Sequence, residues 1–354
     1  MFGPLTASLL AGSTATTKKA RPLPAVGEFV RFTDPATENP VVRLTNPSTN
    51  SLLPAAPNKF VSLRDRFLIF SSDRTGSLTP FRLDLRTGML EPLGQTAQLD
   101  PRSLCLDPSS HLIYLIDGKV LKEISLSNRK MRLLGEGISA FSGPSQDGSF
   151  VVVRNGSLER LERAGVSLAS EVDPWCLIRP DGSGCLFRRS VSEVEREFWY
   201  VSLDSTRGAK PVLAVQGRIT ELFWSPDGRS VLLLRELPNG TLTTSEVVEI
   251  NPETGETQQV SKTSQFASFA PNGDASVFVG ASRSRAQPTV LLLVRSLGRE
   301  ITLCEHRASK PTEVLPTFSP DSRRVYYQTD SQGKSALFSV NVELLVEPTA
   351  PATS

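Results

Sequence analysis

Residues Ser319 to Asp330 read SPDSRRVYYQTD. A Ser-Pro-Asp turn opens the stretch, strand-forming Val325, Tyr326 and Tyr327 follow, and a polar end closes it. The same order recurs along the chain. It is found in SLRDRFLIFSSDRTG from Ser62, LDPSSHLIYLIDG from Leu106 and PSQDGSFVVVRNG from Pro144. It returns in RPDGSGCLFRRS from Arg179, SPDGRSVLLLRE from Ser225 and APNGDASVFVGA from Ala270. The turn positions are Asp65, Ser109, Asp147, Asp181, Asp227, Asn272 and Asp321, with 34 to 49 residues from each to the next. That period matches one four-stranded propeller blade per repeat. The Asp-Gly and Asn-Gly pairs suit tight hairpins because they tolerate positive φ.

Further strand segments lie between the copies, among them PFRLDLRTGMLEPL and TTSEVVEINPETGETQQV, and helical periodicity is nearly absent. The chain reads as all-β: a seven-bladed β-propeller of four-stranded antiparallel blades. The last repeat ends near Leu345, one outer strand short, and an open ring exposes sheet edges. The strand-like segment from Glu28 to Thr45, EFVRFTDPATENPVVRLT, is expected to supply that strand. The expected organisation is a tail over 1–27, one propeller over 28–345 and a tail over 346–354. The first tail has a short apolar core, Leu5 to Leu10, but its lysines follow that core, the reverse of an export signal. Both a disordered tail and a remnant of a signal stay open, as do a periplasmic and a cytoplasmic location.

Composition narrows the function classes. Of 354 residues, 39% are apolar and 21% charged, and the formal net charge is +2. This balance gives no electrostatic case for nucleic acid. No apolar run approaches the ~18 residues that span a bilayer. The cysteines, Cys105, Cys176, Cys185 and Cys304, form no CxxC pair. Cys176 and Cys185 flank one turn, as a cross-hairpin pair or as small buried hydrophobes. No GxSxG is present, which removes the propeller-bearing serine peptidases.

Propeller ligands bind on the face that carries the loops after the second strand of each blade. The strand ends there offer Arg74, Arg154, Arg189 and Arg235, a set suited to carboxylates. Solvated loop ends account for them equally. The only histidines are His111 and His306. His111 falls in a turn on the opposite face. His306, in LCEHRASKP, falls on a connection toward the funnel and joins the arginines as a candidate ligand-binding residue. Trp175 and Trp224 read as packing between blades, with a sugar platform as the alternative.

These segments resemble the oligogalacturonate lyases, which have TolB-like WD-type propeller repeats. The resemblance is carried by FTDPATENPVVRLT (Phe32 to Thr45), FLIFSSDRTGSLTPFRLDLRTG (Phe67 to Gly88), ITELFWSPDG (Ile219 to Gly228), LCEHRAS (Leu303 to Ser309) and LPTFSPDSRRVYYQTDSQGKSALFSV (Leu315 to Val340). It implies β-elimination on oligogalacturonides, assisted by a divalent metal, typically manganese, on histidines and a glutamine. At the positions that match those ligands this chain has Leu315, Pro316 and Thr317, with Thr312 near the glutamine and no histidine in TSQFASFAPNG, Thr263 to Gly273. The resemblance therefore implies the fold, with manganese expected of the family but no metal-binding residues here. Three readings follow. The chain binds an acidic oligosaccharide without metal-dependent cleavage, or docks a protein partner as a TolB-like scaffold, or is a polysaccharide lyase with a rebuilt site.

Overall fold

The computed structural model describes residues 27–190, 196–204, 208–212, 218–239, 242–263 and 265–349. The expected 1–27 tail lies outside these residues except for Gly27. Among the described residues there are three one-turn 3-10 helices and no α-helix. No helix is long and apolar enough to cross a membrane.

Seven antiparallel sheets follow one another along the chain. Blade 1 consists of Ser51–Leu52, Phe67–Ser72, Thr79–Asp84 and Leu90–Pro92. Blades 2 to 6 repeat this order, beginning at Cys105–Leu106, Ile138–Ser142, Cys176–Ile178, Arg218–Trp224 and Phe266–Pro271. First strands of blades 3 and 4, 5 and 6, and 6 and 7 pack against each other, which sets them toward the central axis. The second and third strands carry the apolar core between sheets. Ile69, Ile113, Val152, Leu186, Leu233, Val279 and Val325 are all fully buried second-strand residues.

All seven turn positions lie between first and second strands, in one shared geometry. The carbonyl of Ser62, Asp107, Ser145, Arg179, Ser225, Asn272 or Ser319 accepts from the N–H three residues on. That third residue has positive φ: Gly148, Gly182 and Gly228 where the repeat has Asp-Gly, and Asp65, Ser110, Ala275 and Ser322 elsewhere. The turn is thus a type I turn followed by one left-handed residue. Gly148, Gly182 and Gly228 of the Asp-Gly pairs thus take the positive φ expected of a tight hairpin. In blade 6 the left-handed residue is Ala275 rather than Gly273. The Ser-x-Asp hydrogen bond fixes the turn, with Ser225 Oγ to Asp227 and Ser319 Oγ to Asp321 both at 2.6 Å.

The ring closes through the N-terminal segment. Pro40–Arg43 pairs with Ala336–Asn341 of blade 7, placing Val41 opposite Val340 and Arg43 opposite Phe338. Val30–Thr33 then pairs with Pro40–Arg43, which makes this sheet five-stranded, one strand more than expected. The connecting turn is anchored on blade 6, where Asp34 Oδ2 accepts the Glu305 N–H at 2.9 Å and Asn39 Nδ2 donates to Leu303 O at 2.8 Å. Residues 346–349, expected as tail, are docked. Val346 is buried, and the Thr349 N–H donates to Asp321 O at 3.2 Å. All four cysteines are buried free thiols, and the register sets Cys176 opposite Phe187 and Cys185 opposite Ile178.

Candidate functional site

A cavity of about 350 Å³ opens around the central axis beside blades 1 to 5. Its lining comes from blade-to-blade connections (Arg102, Pro174), second-strand ends (Ile116, Arg188) and first strands (Ala140, Glu221), which puts it on the face expected for the funnel. The first strand of blade 1 helps to shape it. That strand breaks after Leu52 and resumes pairing at Val61, and the residues between turn into the cavity.

Arg102 is presented by the one-turn helix Pro101–Ser103, capped when the Arg102 N–H donates to Asp100 Oδ1 at 3.0 Å. Asn58 Nδ2 holds the same turn by donating to Arg102 O at 3.0 Å. Among the described residues the Arg102 guanidinium has no hydrogen-bond or ion-pair partner. Arg188 is different, since its Nε lies 3.0 Å from Asp173 Oδ2. Trp175 packs edge-on against Phe198, ring centres 5.4 Å apart, and both face the cavity.

Glu221 stands on the first strand of blade 5, where the register skips Thr220. Its Oε2 accepts the Phe269 N–H of blade 6 at 2.9 Å. The surrounding protein pushes its carboxyl up to about 7, against smaller downward pulls from the Phe269 N–H and the Arg102 charge. Sequence reading missed both cavity groups. Arg102 lies on a connection rather than a strand end. Glu221 shows only as a charge inside the apolar run ITELFW.

The expected rim arginines are not gathered in this cavity; none of the four lines it. Arg74 pairs with Glu28 at 2.9 Å and lies over the Phe81 ring. Arg154 binds Glu159 at 3.2 Å and the Glu136 carbonyl. Arg235 Nε donates to the buried Glu246 at 2.6 Å. Arg189 stacks over Trp199 at 4.3 Å and donates to Ser170 O at 3.1 Å. The reason is local: each side chain meets an acid, an aromatic ring or a carbonyl of its own seam before it can reach the axis. In blade 6 the second strand runs to Ser282, and Arg283 after it bridges to Glu236 at 2.8 Å.

His306 is fully buried and does not face the cavity. Its Nδ1 accepts the Ala308 N–H at 3.0 Å, so Nε2 carries the proton and donates to Ser282 O at 3.0 Å. Burial pushes its pKa down. Both nitrogens are used, so the ring staples blade 6 to the connection entering blade 7. Trp224 is a packing residue, its Nε1 donating to Leu177 O of blade 4 at 3.2 Å.

No family model matches the chain. Oligogalacturonide lyase of Pectobacterium atrosepticum is 23% identical over 171 residues, 42% of this chain and 44% of that protein. The chain thus matches less than half the length of this curated relative. Among solved structures, an oligogalacturonate lyase in complex with manganese superposes with a TM-score of 0.77 at 19% identity, over 88% of this chain and 96% of that one. Sequence and fold both set the chain beside the oligogalacturonide lyases. The oligogalacturonate lyase of Vibrio parahaemolyticus gives a TM-score of 0.77 at 18% identity, covering 91% and 99% of the two chains.

The manganese of the lyase structure finds no matching donors here. Leu315 is buried with φ at +48°, and Thr317 sits in the ladder opposite Tyr326. Gln328 is spent on the frame, accepting the Leu53 N–H at 2.6 Å and donating to Glu313 O at 2.7 Å. Among the described residues no three His, Cys, Asp or Glu side chains form a metal-binding group. A site for a divalent ion needs several nitrogen or oxygen ligands converging on one point, and these residues do not fit that need.

Proposed function

We propose that this lyase-like propeller binds an acidic oligosaccharide of the uronate class in its central cavity, without the metal-assisted cleavage of the oligogalacturonide lyases. The observation that carries this reading is Arg102, a guanidinium in the cavity lining with no protein partner among the described residues. A planar guanidinium takes a carboxylate in two parallel hydrogen bonds. Arg188 adds a second cation, and Trp175 offers a ring for the apolar face of a sugar. A cavity of about 350 Å³ is in the range that holds small ligands.

Calorimetry with a defined oligogalacturonide tests the reading, with a neutral oligosaccharide of equal length as control. Binding of the acidic sugar alone, weakened at least tenfold by Arg102→Ala and not by Arg74→Ala, supports it. Equal binding of both sugars, or none of either, refutes it.

A further inference from the structure

Glu221 is the cavity group that the binding reading leaves unused. One of its oxygens is fixed by the Phe269 N–H, and the other, Oε1, makes no hydrogen bond among the described residues. Arg102 lies close enough to act on its charge. The other titratable groups of the lining are Asp100 and Cys176, with Arg188 tied to Asp173. No histidine competes for the role. His306 is buried with both nitrogens engaged, and His111 belongs to the turn on the opposite face.

We propose that Glu221 is the proton-accepting residue of a metal-independent β-elimination on a uronate held in this cavity, with Arg102 on the carboxylate. The proposal rests on the binding reading above. A carbon acid beside a carboxylate is weak, because removing its proton piles a second negative charge on the same group. A guanidinium on that carboxylate offsets the developing charge. Glu221 Oε1 takes the proton from the carbon next to the carboxylate. The released C–H pair becomes the carbon–carbon double bond, and the adjacent C–O bond of the glycosidic link breaks. The leaving oxygen keeps the electron pair of that C–O bond and takes a proton from water. The hydroxide left behind recovers the proton from Glu221. One sugar link is exchanged for one alkene and one hydroxyl, with no oxidant or reductant. A carboxyl that titrates near neutrality suits proton transfer at ordinary pH.

Glu221→Gln is the variant of choice, because its carbonyl still accepts the Phe269 N–H while the base is gone. Wild type and variant are compared on an oligogalacturonide in excess chelator, by calorimetry and by the ultraviolet absorbance of the unsaturated product. The wild type is expected to form product without metal, with kcat/KM rising through about pH 7. Glu221→Gln is expected to bind within about threefold of wild type and turn over ~10²- to 10⁴-fold more slowly. Should Gln fail to fold, Glu221→Asp takes its place and is expected to lose kcat more than KM. Binding without product from the wild type, or product unaffected by either variant, overturns the role of Glu221 and leaves the binding reading standing. No binding by the wild type overturns the binding reading itself.

Discussion

Tyr326 Oη donates to Asp65 Oδ1 at 2.5 Å, from the last blade to the first. Arg324 Nη1 reaches the other oxygen of the same carboxylate at 3.0 Å. Burial pushes the Asp65 carboxyl up, and these two partners oppose it. Together with the N-terminal strand, this group closes the ring. Tyr326→Phe leaves a half-buried carboxylate short of a donor, and a loss of about 1–3 kcal/mol in unfolding free energy is expected. Urea titration at pH 7 measures it. An unchanged midpoint would show that the strand pairing alone holds the seam.

Arg235 makes a different kind of test. Its partner Glu246 is only 5% exposed. Removing one member of such a pair leaves a buried charge, so Arg235→Ala is expected to destabilise by about 2–3 kcal/mol. Binding of an acidic oligosaccharide, compared below the unfolding temperature, should stay within about twofold of wild type. A folded, fully stable variant that no longer binds would return Arg235 to the ligand site.

These cases show what the sequence could convey. The seven blades were legible because each turn is local, written in a few adjacent residues such as Ser225 and Asp227. A closing strand from the segment Glu28 to Thr45 was legible because an open last blade requires one. The added strand Val30–Thr33 was not, since nothing in an incomplete sheet calls for a fifth member. The cavity was hidden for a physical reason. Arg102 and Glu221 are about 120 residues apart, and only the curvature of the ring and the skipped residue Thr220 bring them to one space. The partners of the rim arginines were not legible, because a strand end fixes a side chain's neighbourhood and not its partner.

His306 gives a pH signature. Its folded pKa is lowered, chiefly by burial, from 6.5. Above 6.5 the neutral ring stabilises the fold in full. As pH falls through 6.5, the unfolded chain takes up a proton that the folded chain refuses, and stability drops toward the folded pKa. The slope from this one group cannot exceed about 1.4 kcal/mol per pH unit. His306→Gln should be less stable than wild type at pH 7.5 and show a shallower loss between pH 6.5 and pH 5. Parallel curves would mean that the ring takes up its proton as readily in the fold as in the unfolded chain.

Manganese should leave the protein unmoved. Leu315 has no donor atom on its side chain, and the nitrogen and oxygen of the Gln328 amide are both engaged. A ligand bound only by the folded state, present at a hundred times its dissociation constant, adds about 2.7 kcal/mol of stability. Thermal unfolding in millimolar manganese should therefore coincide with unfolding in chelator. A rise of several degrees that saturates at one ion per chain would show that other residues rebuild the centre.

Glu221 also carries a stability prediction of its own. Its carboxyl titrates at about 7 in the fold, against 4.5 as the ordinary value. Below pH 4.5 both states are protonated and the fold pays no penalty for the buried charge. Between pH 4.5 and about 7 the unfolded chain ionises first, so folding stability falls as pH rises. Above about 7 the loss is constant, at about 3 kcal/mol or less. Gln carries no charge at any of these pH values and keeps the acceptor for Phe269. Glu221→Gln should therefore match the wild type at pH 4 and exceed it by about 1–3 kcal/mol at pH 8. Chemical unfolding at the two pH values measures the difference. A variant destabilised equally at both would mean that the Glu221 carboxyl titrates alike in the folded and the unfolded chain, and Glu221 would then be too acidic to serve as a base.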